Sequence, residues 1–141
     1  MQHAIDRIVK AFQTLSPTRI DALHEIYAAN AQFRDPFNDV QGLPQIQHIF
    51  RHMYVNLVNP RFVIIERIVQ GSQCFLTWEF RFAFQRFAPA QEHCIVGGSH
   101  LVLDAAGRIQ MHRDYWDASE LYEKLPAIGA LMRWLRRKVN S

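Results

Sequence analysis

The chain has 141 residues, of which 49% are hydrophobic and 12% aromatic, with ten phenylalanines. This length supports one domain with one good core, and the apolar content excludes a disordered chain and favours a core with an apolar cavity. No apolar run reaches membrane-spanning length, and residues 1–6 lack the basic and apolar regions of a signal peptide. We therefore expect a single domain over residues 1–141, located in the cytoplasm.

Charge and cysteine content argue against nucleic-acid and metal partners. The formal net charge is +3, but four of the 16 basic residues lie within residues 133–138, which leaves 12 basic against 13 acidic residues elsewhere. The rest of the chain is therefore not basic enough to form a nucleic-acid surface. The four basic residues near the C-terminus are explained by their favourable interaction with a helix dipole. Cys74 and Cys94 have no metal-ligand spacing, so we predict two reduced core thiols.

The first part of the chain shows helical periodicity. Apolar residues at helical spacing predict a helix over about residues 3–14. Thr18, with an acidic residue three positions later, resembles the capping pair of a second helix that is predicted to end at residues 28–30. Pro44 suits the first turn of a third helix, which residues 59–60 close.

The pattern then changes to strands. Residues 74–84 alternate between an apolar face that carries Trp78 and a mixed face, which is a strong strand signal. Asp117 and Glu120 are predicted to cap a short helix that ends at Leu125, and an amphipathic pattern over residues 128–135 predicts a last helix. The other predicted strands are 62–69, 93–103 and 108–117, with a hairpin turn at 104–107.

This order of elements predicts the α+β fold class. The strands form a curved antiparallel sheet that wraps around the N-terminal helices, with a C-terminal helical extension at about residues 118–139. Such an arrangement forms a cone-shaped pocket whose mouth can hold a small ligand.

The stretch from Gln32 to Gly42 carries the first candidate for chemistry. Pro36 fixes its own φ and favours an extended conformation at Asp35, so Asp35 lies at a strand end between aromatic residues. A carboxylate in this position is either a buried structural acceptor or a tuned acid or base.

The last predicted strand carries the second candidate. His112, Asp114 and Trp116 share one face by period two, and Asp114 is placed to hold the His112 imidazole. One buried histidine bonded to one aspartate is also common structural glue, so both readings remain open.

Other motifs predict little chemistry. His93 and His100 differ in parity and point to opposite faces of their strand, which argues against a metal site with His112. Ser99 is a candidate pocket hydroxyl without a nucleophile elbow around it. Glycines 97 and 98 inside a strand predict a bulge or bend.

Residues 27–37, followed by Gly42 and Ile46, resemble the first half of a ketosteroid isomerase. Residues 107–110 and Tyr115-Trp116 resemble the last hairpin of the same family. Together they are similar to the nuclear transport factor two-like superfamily, which includes SnoaL-like polyketide cyclases, limonene epoxide hydrolases, dehydratases and non-catalytic binders. The resemblance implies a cystatin-like, cone-shaped roll and a homodimer formed through the outer sheet face. The candidate interface residues are Phe75, Thr77, Glu79, Arg81, Arg113 and Tyr115.

The resemblance also implies roles for individual residues. Asp35 matches the general base of the isomerase, Trp116 a pocket-wall aromatic, and Tyr27 a tyrosine of the supporting hydrogen-bond network. The two oxyanion donors are missing, because their positions fall on Ala11 or Phe12 and on Ser99. Loss of one such donor typically costs ~10²–10³ in rate, so a true ketosteroid isomerase is not expected.

We therefore predict a small-molecule pocket protein that acts as a cofactor-independent acid/base enzyme on a small apolar carbonyl compound. The reaction would be of the isomerase, dehydratase or cyclase type; a non-catalytic binding module for a hydrophobic ligand and an epoxide-hydrolase-like activity remain alternatives. Neither a metal nor a membrane or nucleic-acid partner is expected. The predicted catalytic residues are Asp35, His112 and Asp114, and the predicted substrate-binding residues are Tyr27, Phe33, Phe37, Phe50, Trp78, Ser99 and Trp116.

Overall fold

The computed structural model describes residues 2–125 together with residues 134, 137 and 138. Within them, two helices and two strands precede a third helix, which is followed by four strands and a short helix. The elements are α1 (Gln2–Gln13), a 3₁₀ helix (Pro17–Glu25), β1 (Tyr27–Arg34), β2 (Asp39–Gln41), α2 (Leu43–Asn56), β3 (Leu57–Gln70), β4 (Gln73–Phe84), β5 (His93–Leu103), β6 (Ile109–Tyr115) and α3 (Ala118–Glu123).

The first and third predicted helices are confirmed. In α1 the apolar stripe Ile5, Ile8, Val9 and Phe12 is buried, as helical spacing requires for a helix that packs on a sheet. The other predicted helix is α2, which begins directly after Gly42 with a proline in its first turn. Gly42 has a φ of +107°, a backbone conformation that side-chain-bearing residues rarely adopt.

The second predicted helix is wrong in type and in extent. Residues 17–25 form a 3₁₀ helix, and no side-chain hydrogen bond caps its start at Ser16. Residues 28–30, predicted to end that helix, belong to β1. Alanine favours helices, but Tyr27 and residues 32–34 on either side pair with neighbouring strands, so tertiary context overrides the local preference.

One six-stranded sheet carries the fold, in the order β2-β1-β6-β5-β4-β3. All neighbouring strands are antiparallel except β1 and β6, which are parallel. The first long strand, β3, begins earlier than predicted, because residues 59–60 lie within it instead of closing the helix. Asn59 has a φ of +48° there, where the register with β4 shifts between Val58 and Arg61.

The core lies between the helices and the inner face of the sheet, and it is divided in two. The larger cluster joins the buried sides of α1, the 3₁₀ helix and α2 to strand residues such as Phe33 and Leu101. A second cluster contains Phe82, Phe84 and Ile95 at one end of β4 and β5. The space between these two clusters is the cavity described below.

Both cysteines are free, but only one belongs to the core. Burial raises the pKa of the Cys74 thiol to about 11. Cys94 is exposed, so its prediction as a core thiol is wrong. Its neighbour Ile95 faces the core, and successive residues of a strand point to opposite faces.

The C-terminal part of the prediction is described only in part. Asp117 precedes α3 and accepts a hydrogen bond from the Ser119 amide at 2.9 Å, as the predicted cap requires. The predicted last helix over residues 128–135 lies, except for residue 134, outside the described residues. Among the described helices, none is long and apolar enough to cross a membrane.

The burial of α2 predicts how stability responds to mutation on its two sides. Ile46 is fully buried, whereas Val55 on the same helix is 71% exposed. We expect Ile46→Ala to lower the free energy of unfolding by about 2–5 kcal/mol, because it removes buried methyl groups and leaves a cavity. The matched control Val55→Ala should change it by less than about 0.5 kcal/mol. Urea unfolding followed by circular dichroism measures both; equal effects would contradict this packing.

Candidate active site

An apolar cavity of about 420 Å³ lies between the two core clusters. Its lining is mostly aromatic and aliphatic, with two carboxylates, Asp35 and Asp114. Among the described residues that line it there is no lysine or arginine. The lining residues are Phe33, Asp35, Phe37, Asn38, Ile49, Phe50, His52, Met53, Asn56, Leu57, Phe62, Trp78, Phe80, Phe82, Phe84, Ile95, Asp114, Trp116 and Leu121.

Asp35 directly follows β1, as predicted, and its carboxylate closes a tight turn. Oδ1 accepts hydrogen bonds from the amides of Phe37 at 2.8 Å and Asn38 at 2.7 Å. The Asn38 side-chain amide donates to the same oxygen at 3.1 Å and to Oδ2 at 3.2 Å. An aspartate that binds the backbone two and three residues ahead is a common turn-forming device. The turn therefore holds this carboxylate in the cavity lining.

Parallel pairing brings the second carboxylate to the same place. In the β1–β6 register Phe33 pairs with His112 and Arg34 with Arg113. The next positions are Asp35 and Asp114, and both side chains line the cavity. Two sequence-distant aspartates therefore share one apolar cavity.

A chain of hydrogen bonds inside the core ends on Asp114. His112 Nε2 lies 2.6 Å from Asp114 Oδ1, and the Ser99 hydroxyl donates to the same oxygen at 2.5 Å. Trp78 Nε1 donates to Ser99 Oγ at 2.9 Å, and the Tyr27 hydroxyl lies 2.6 Å from His112 Nδ1. The predicted contact between His112 and Asp114 is thus present.

The direction of the protons follows from the chemistry of each group. Burial, and secondarily the negative charge of Asp114, raises the pKa of Tyr27 well above its ordinary value, so its hydroxyl keeps its proton. A neutral His112 that accepts a hydrogen bond from this hydroxyl at Nδ1 carries its own proton on Nε2. That N–H group donates a hydrogen bond to Asp114. Tyr27 therefore fixes the tautomer of His112.

His112 lies behind Asp114 and not in the large cavity. Its side chain is 4% exposed, and its ring is enclosed by Phe12, Tyr27 and Phe33, with centroids 4.7–5.9 Å away. It lines a separate space of about 20 Å³ together with Ser99 and Asp114. Asp114 is the carboxylate that lines both spaces.

The structure separates the predicted substrate-binding residues into two groups. Two of them, Tyr27 and Ser99, lie in the buried network and do not line the large cavity. The ones that line it are Phe33, Phe37, Phe50, Trp78 and Trp116. Sequence reasoning did not name Phe62, Leu121, Phe80, Phe82 or Phe84 as site residues. The period-two stripe of β4 was the available signal for these last three.

The two glycines of β5 do not form the predicted bulge. Gly97 pairs with Trp78 and Gly98 with Thr77 in regular register. A Cβ atom at Gly97 would lie 2.6 Å from the Trp78 ring, and one at Gly98 would lie 2.4 Å from the Phe75 ring. Gly97 therefore leaves the space that lets the indole reach Ser99.

Tyr27→Phe tests the buried network. The variant leaves His112 Nδ1 without its donor in an enclosed site, so we expect a loss of about 1–3 kcal/mol in unfolding free energy. The variant should also lower the population of the Nε2-protonated tautomer of His112, which the ¹⁵N chemical shifts of the imidazole measure. For Tyr54→Phe, at a half-buried tyrosine of α2, neither quantity should change; an unchanged tautomer in Tyr27→Phe would contradict the proposed donor.

The sequence matches a known domain family, and the structure resembles solved structures of one fold. The family model for the SnoaL-like domain matches residues 8–112. No curated protein sequence matches the chain at a significant level. Three solved structures resemble it: a putative SnoaL-like polyketide cyclase from a Jannaschia species, a Catenulispora acidiphila protein of ketosteroid isomerase-like fold in complex with trimethylamine, and an LEH-like epoxide hydrolase of M. tuberculosis.

These similarities are close in shape and distant in sequence. The cyclase has a TM-score of 0.76 at 12% identity, with 89% of this chain and 93% of that one covered. The trimethylamine complex has a TM-score of 0.74 at 16% identity and covers 88% and 94%. The epoxide hydrolase has a TM-score of 0.67 at 16% identity and covers 99% and 95%. Because the family model spans most of the sequence, the chain belongs to the SnoaL-like domain family, and its fold is that of the nuclear transport factor two-like proteins.

Proposed function

We propose that the protein is a cofactor-independent enzyme that performs acid/base chemistry on a small, mostly apolar carbonyl compound. The observation that carries the proposal is the pair of carboxylates, Asp35 and Asp114, in the lining of one apolar cavity of about 420 Å³. A cavity of this size and lining suits a small organic molecule. The complex of a structural neighbour with trimethylamine supports a ligand at this scale.

Asp35 is the proposed general base. Its turn holds the carboxylate in place, and Oδ2 has one long hydrogen bond of 3.2 Å. It takes a proton from the carbon next to the carbonyl and holds it as a carboxylic acid. It then returns the proton at another atom after the double bond has moved or the new carbon–carbon bond has formed.

Asp114 is the proposed second acid/base group, and His112 is a positioning residue that acts through it. Two donors fix Asp114 Oδ1, while Oδ2 has no hydrogen-bond partner among the described residues. In a dehydration Asp114, as a carboxylic acid, would protonate the departing hydroxyl group, which leaves as water, while Asp35 holds the proton taken from carbon; exchange with solvent then resets both groups. In the alternative hydrolytic reaction it would activate a water molecule, and the similarity to an LEH-like epoxide hydrolase supports that second candidate.

Two of the predicted site residues are not available to stabilise charge on the substrate. The hydroxyl of Ser99 and the Nε2 proton of His112 both point to Asp114, so neither is free to stabilise an oxyanion in the cavity. A carbon between two carbonyl groups loses its proton more easily, because both oxygens share the resulting charge. We therefore favour 1,3-dicarbonyl compounds over simple ketones as substrates.

Isotope exchange tests the proposed bases. In D₂O, nuclear magnetic resonance or mass spectrometry should show deuterium entering the acidic carbon of an acyclic β-keto ester, which is neutral at pH 7, faster than without protein. Asp35→Asn should slow this exchange by about 10²-fold or more, because an amide cannot accept the proton. The charge-matched control Asp39→Asn, at an exposed position in β2, should exchange like the wild type. Equal exchange in Asp35→Asn and wild type would remove Asp35 from the mechanism.

The non-catalytic alternative makes a different prediction in the same assay. A binding module would bind such a compound tightly and leave it unchanged, with no exchange above the background rate. An epoxide hydrolase would instead incorporate ¹⁸O from labelled water into a diol product, and Asp114→Asn would abolish that incorporation.

We also propose a homodimer formed through the outer sheet face. The strand registers place Val63, Ile68, Phe75, Val96 and Tyr115 together on this face. Of these, Ile68 is 63% and Val96 64% exposed. A broad apolar area on a sheet face is typical of a surface that pairs with a second copy.

Light scattering after size exclusion tests the dimer. The double substitution Ile68→Glu with Val96→Glu should shift the mass from two chains to one, because it places four like charges in the symmetric interface. Val55→Glu, at an equally exposed valine of α2, should leave the mass of two chains unchanged. A wild-type protein with the mass of one chain at micromolar concentration would overturn the proposed dimer.

A further inference from the structure

The charge that lines the cavity is of one sign. Asp35 and Asp114 line it, and the lining residues of the described chain include no lysine or arginine. Their sequence neighbours Arg34 and Arg113 do not line this cavity; they line an adjoining space that Asp35, Asp114 and Trp116 also border, and Arg113 there stacks over the Tyr115 ring, 4.9 Å from its centroid. The histidine in the lining, His52, is exposed to solvent.

Each carboxylate is only half satisfied by the protein. In Asp35 three donors reach Oδ1, whereas Oδ2 has a single hydrogen bond of 3.2 Å. In Asp114 both donors reach Oδ1, and Oδ2 has none among the described residues. The protein therefore anchors one oxygen of each group and leaves the other to a ligand.

Aromatic rings surround these charges. Phe37 packs edge to face against Trp116 at 5.5 Å and against Tyr122 at 5.9 Å, beside the Asp35 turn. Phe33, Phe50 and Trp78 continue the aromatic lining further along. Aromatic faces carry negative potential and attract cations, and they do so most strongly where water is excluded.

We propose that the cavity is selective for small organic cations, and that the substrate carries a protonated or quaternary amine. This inference rests on the proposed function in assigning a ligand to the same cavity. Two carboxylates in an apolar lining repel an anionic ligand and attract a cationic one, because charges interact more strongly at low dielectric constant. Neutral molecules of the same shape gain only the apolar contacts.

A positive group on the substrate also suits the proposed reaction. Proton transfer to Asp35 places negative charge on the substrate carbon, next to Asp114 and without a basic side chain in the described lining. A cationic amine within the substrate offsets that charge, in the place where an enzyme of another design would use a lysine or an oxyanion hole. The ligand then supplies the counter-charge that the described lining lacks.

Three probes of similar shape separate charge from hydrophobic contact. The 3-hydroxyphenyltrimethylammonium ion and 3-tert-butylphenol have the same shape and differ in one unit of charge, and 3-hydroxybenzoate supplies the anion. Titration followed by isothermal calorimetry or by chemical shifts should show that the cation binds about tenfold more tightly than its neutral isostere. The anion should not bind, and the preference for the cation should decline as salt is raised.

Variants that remove one carboxylate charge test whether Asp35 and Asp114 cause the preference for the cation. Asp35→Asn and Asp114→Asn should each bring the affinity for the cation closer to that of the isostere, with the affinity for the isostere unchanged. Asparagine keeps an acceptor oxygen for the donors that reach Oδ1 in both positions. Asp39→Asn removes one charge outside the cavity and should retain the full preference. Thermal unfolding shows whether each variant is folded, and the wild-type comparison of isosteres tests the inference without any variant.

The possible results separate this inference from the proposed function. Equal or tighter binding of the neutral isostere by the wild type would overturn the selectivity for cations and leave a ligand-binding cavity in place. An undiminished preference in both cavity variants would also overturn it. Failure of all three probes to bind at millimolar concentration would contradict both proposals.

Discussion

The convergence of two donors on one oxygen of Asp114 is the interaction on which the polar part of this core depends. Ser99 and His112 are 5% and 3% exposed, so each needs an acceptor that water does not provide. Asp114 Oδ1 accepts from both, while Tyr27 and Trp78 satisfy their other sides. A single carboxylate oxygen thus supports four buried polar side chains, and the other oxygen of the same group has no hydrogen-bond partner among the described residues. Structural glue and acid/base function, which the sequence left as alternatives, are compatible in one residue.

The parallel pair of β1 and β6 connects this network to the second carboxylate. An antiparallel partner at this place would run the chain away from Asp114, whereas the parallel register carries both strands toward the cavity side by side. Asp35 follows the end of β1, where Pro36 and the hydrogen bonds to Oδ1 turn the chain sharply. The division of the core into two aromatic clusters then leaves the space that both carboxylates line.

The alternation of residues along a strand explains the features that the sequence predicted correctly. The features that it missed depend on contacts between residues far apart in the chain. Strand β4 and the shared face of His112 and Asp114 follow from alternation alone. Alternation shows which face of the sheet a side chain is on, but not how deeply it is buried, so it could not show that His112 lies behind Asp114. It also could not show that Tyr27, 85 positions away, contacts the His112 ring. The prediction for residues 28–30 was wrong for a similar reason, because strand pairing on both sides of this segment overrides its local helix preference. Gly97 pairs regularly because the space it leaves is filled by the Trp78 ring from the neighbouring strand.

The same network shows how this chain departs from the resemblance to ketosteroid isomerases. The resemblance places one donor at Ala11 or Phe12 and the other at Ser99; here Phe12 packs its ring on His112 at 5.7 Å and Ser99 donates to Asp114. The donors of this chain therefore point inward, to a carboxylate, and not to a ligand. If the cavity performs the proposed acid/base chemistry, Ser99 and His112 would not stabilise negative charge on the substrate. The chemistry of the substrate, together with the shape of the cavity, would then decide which compounds react.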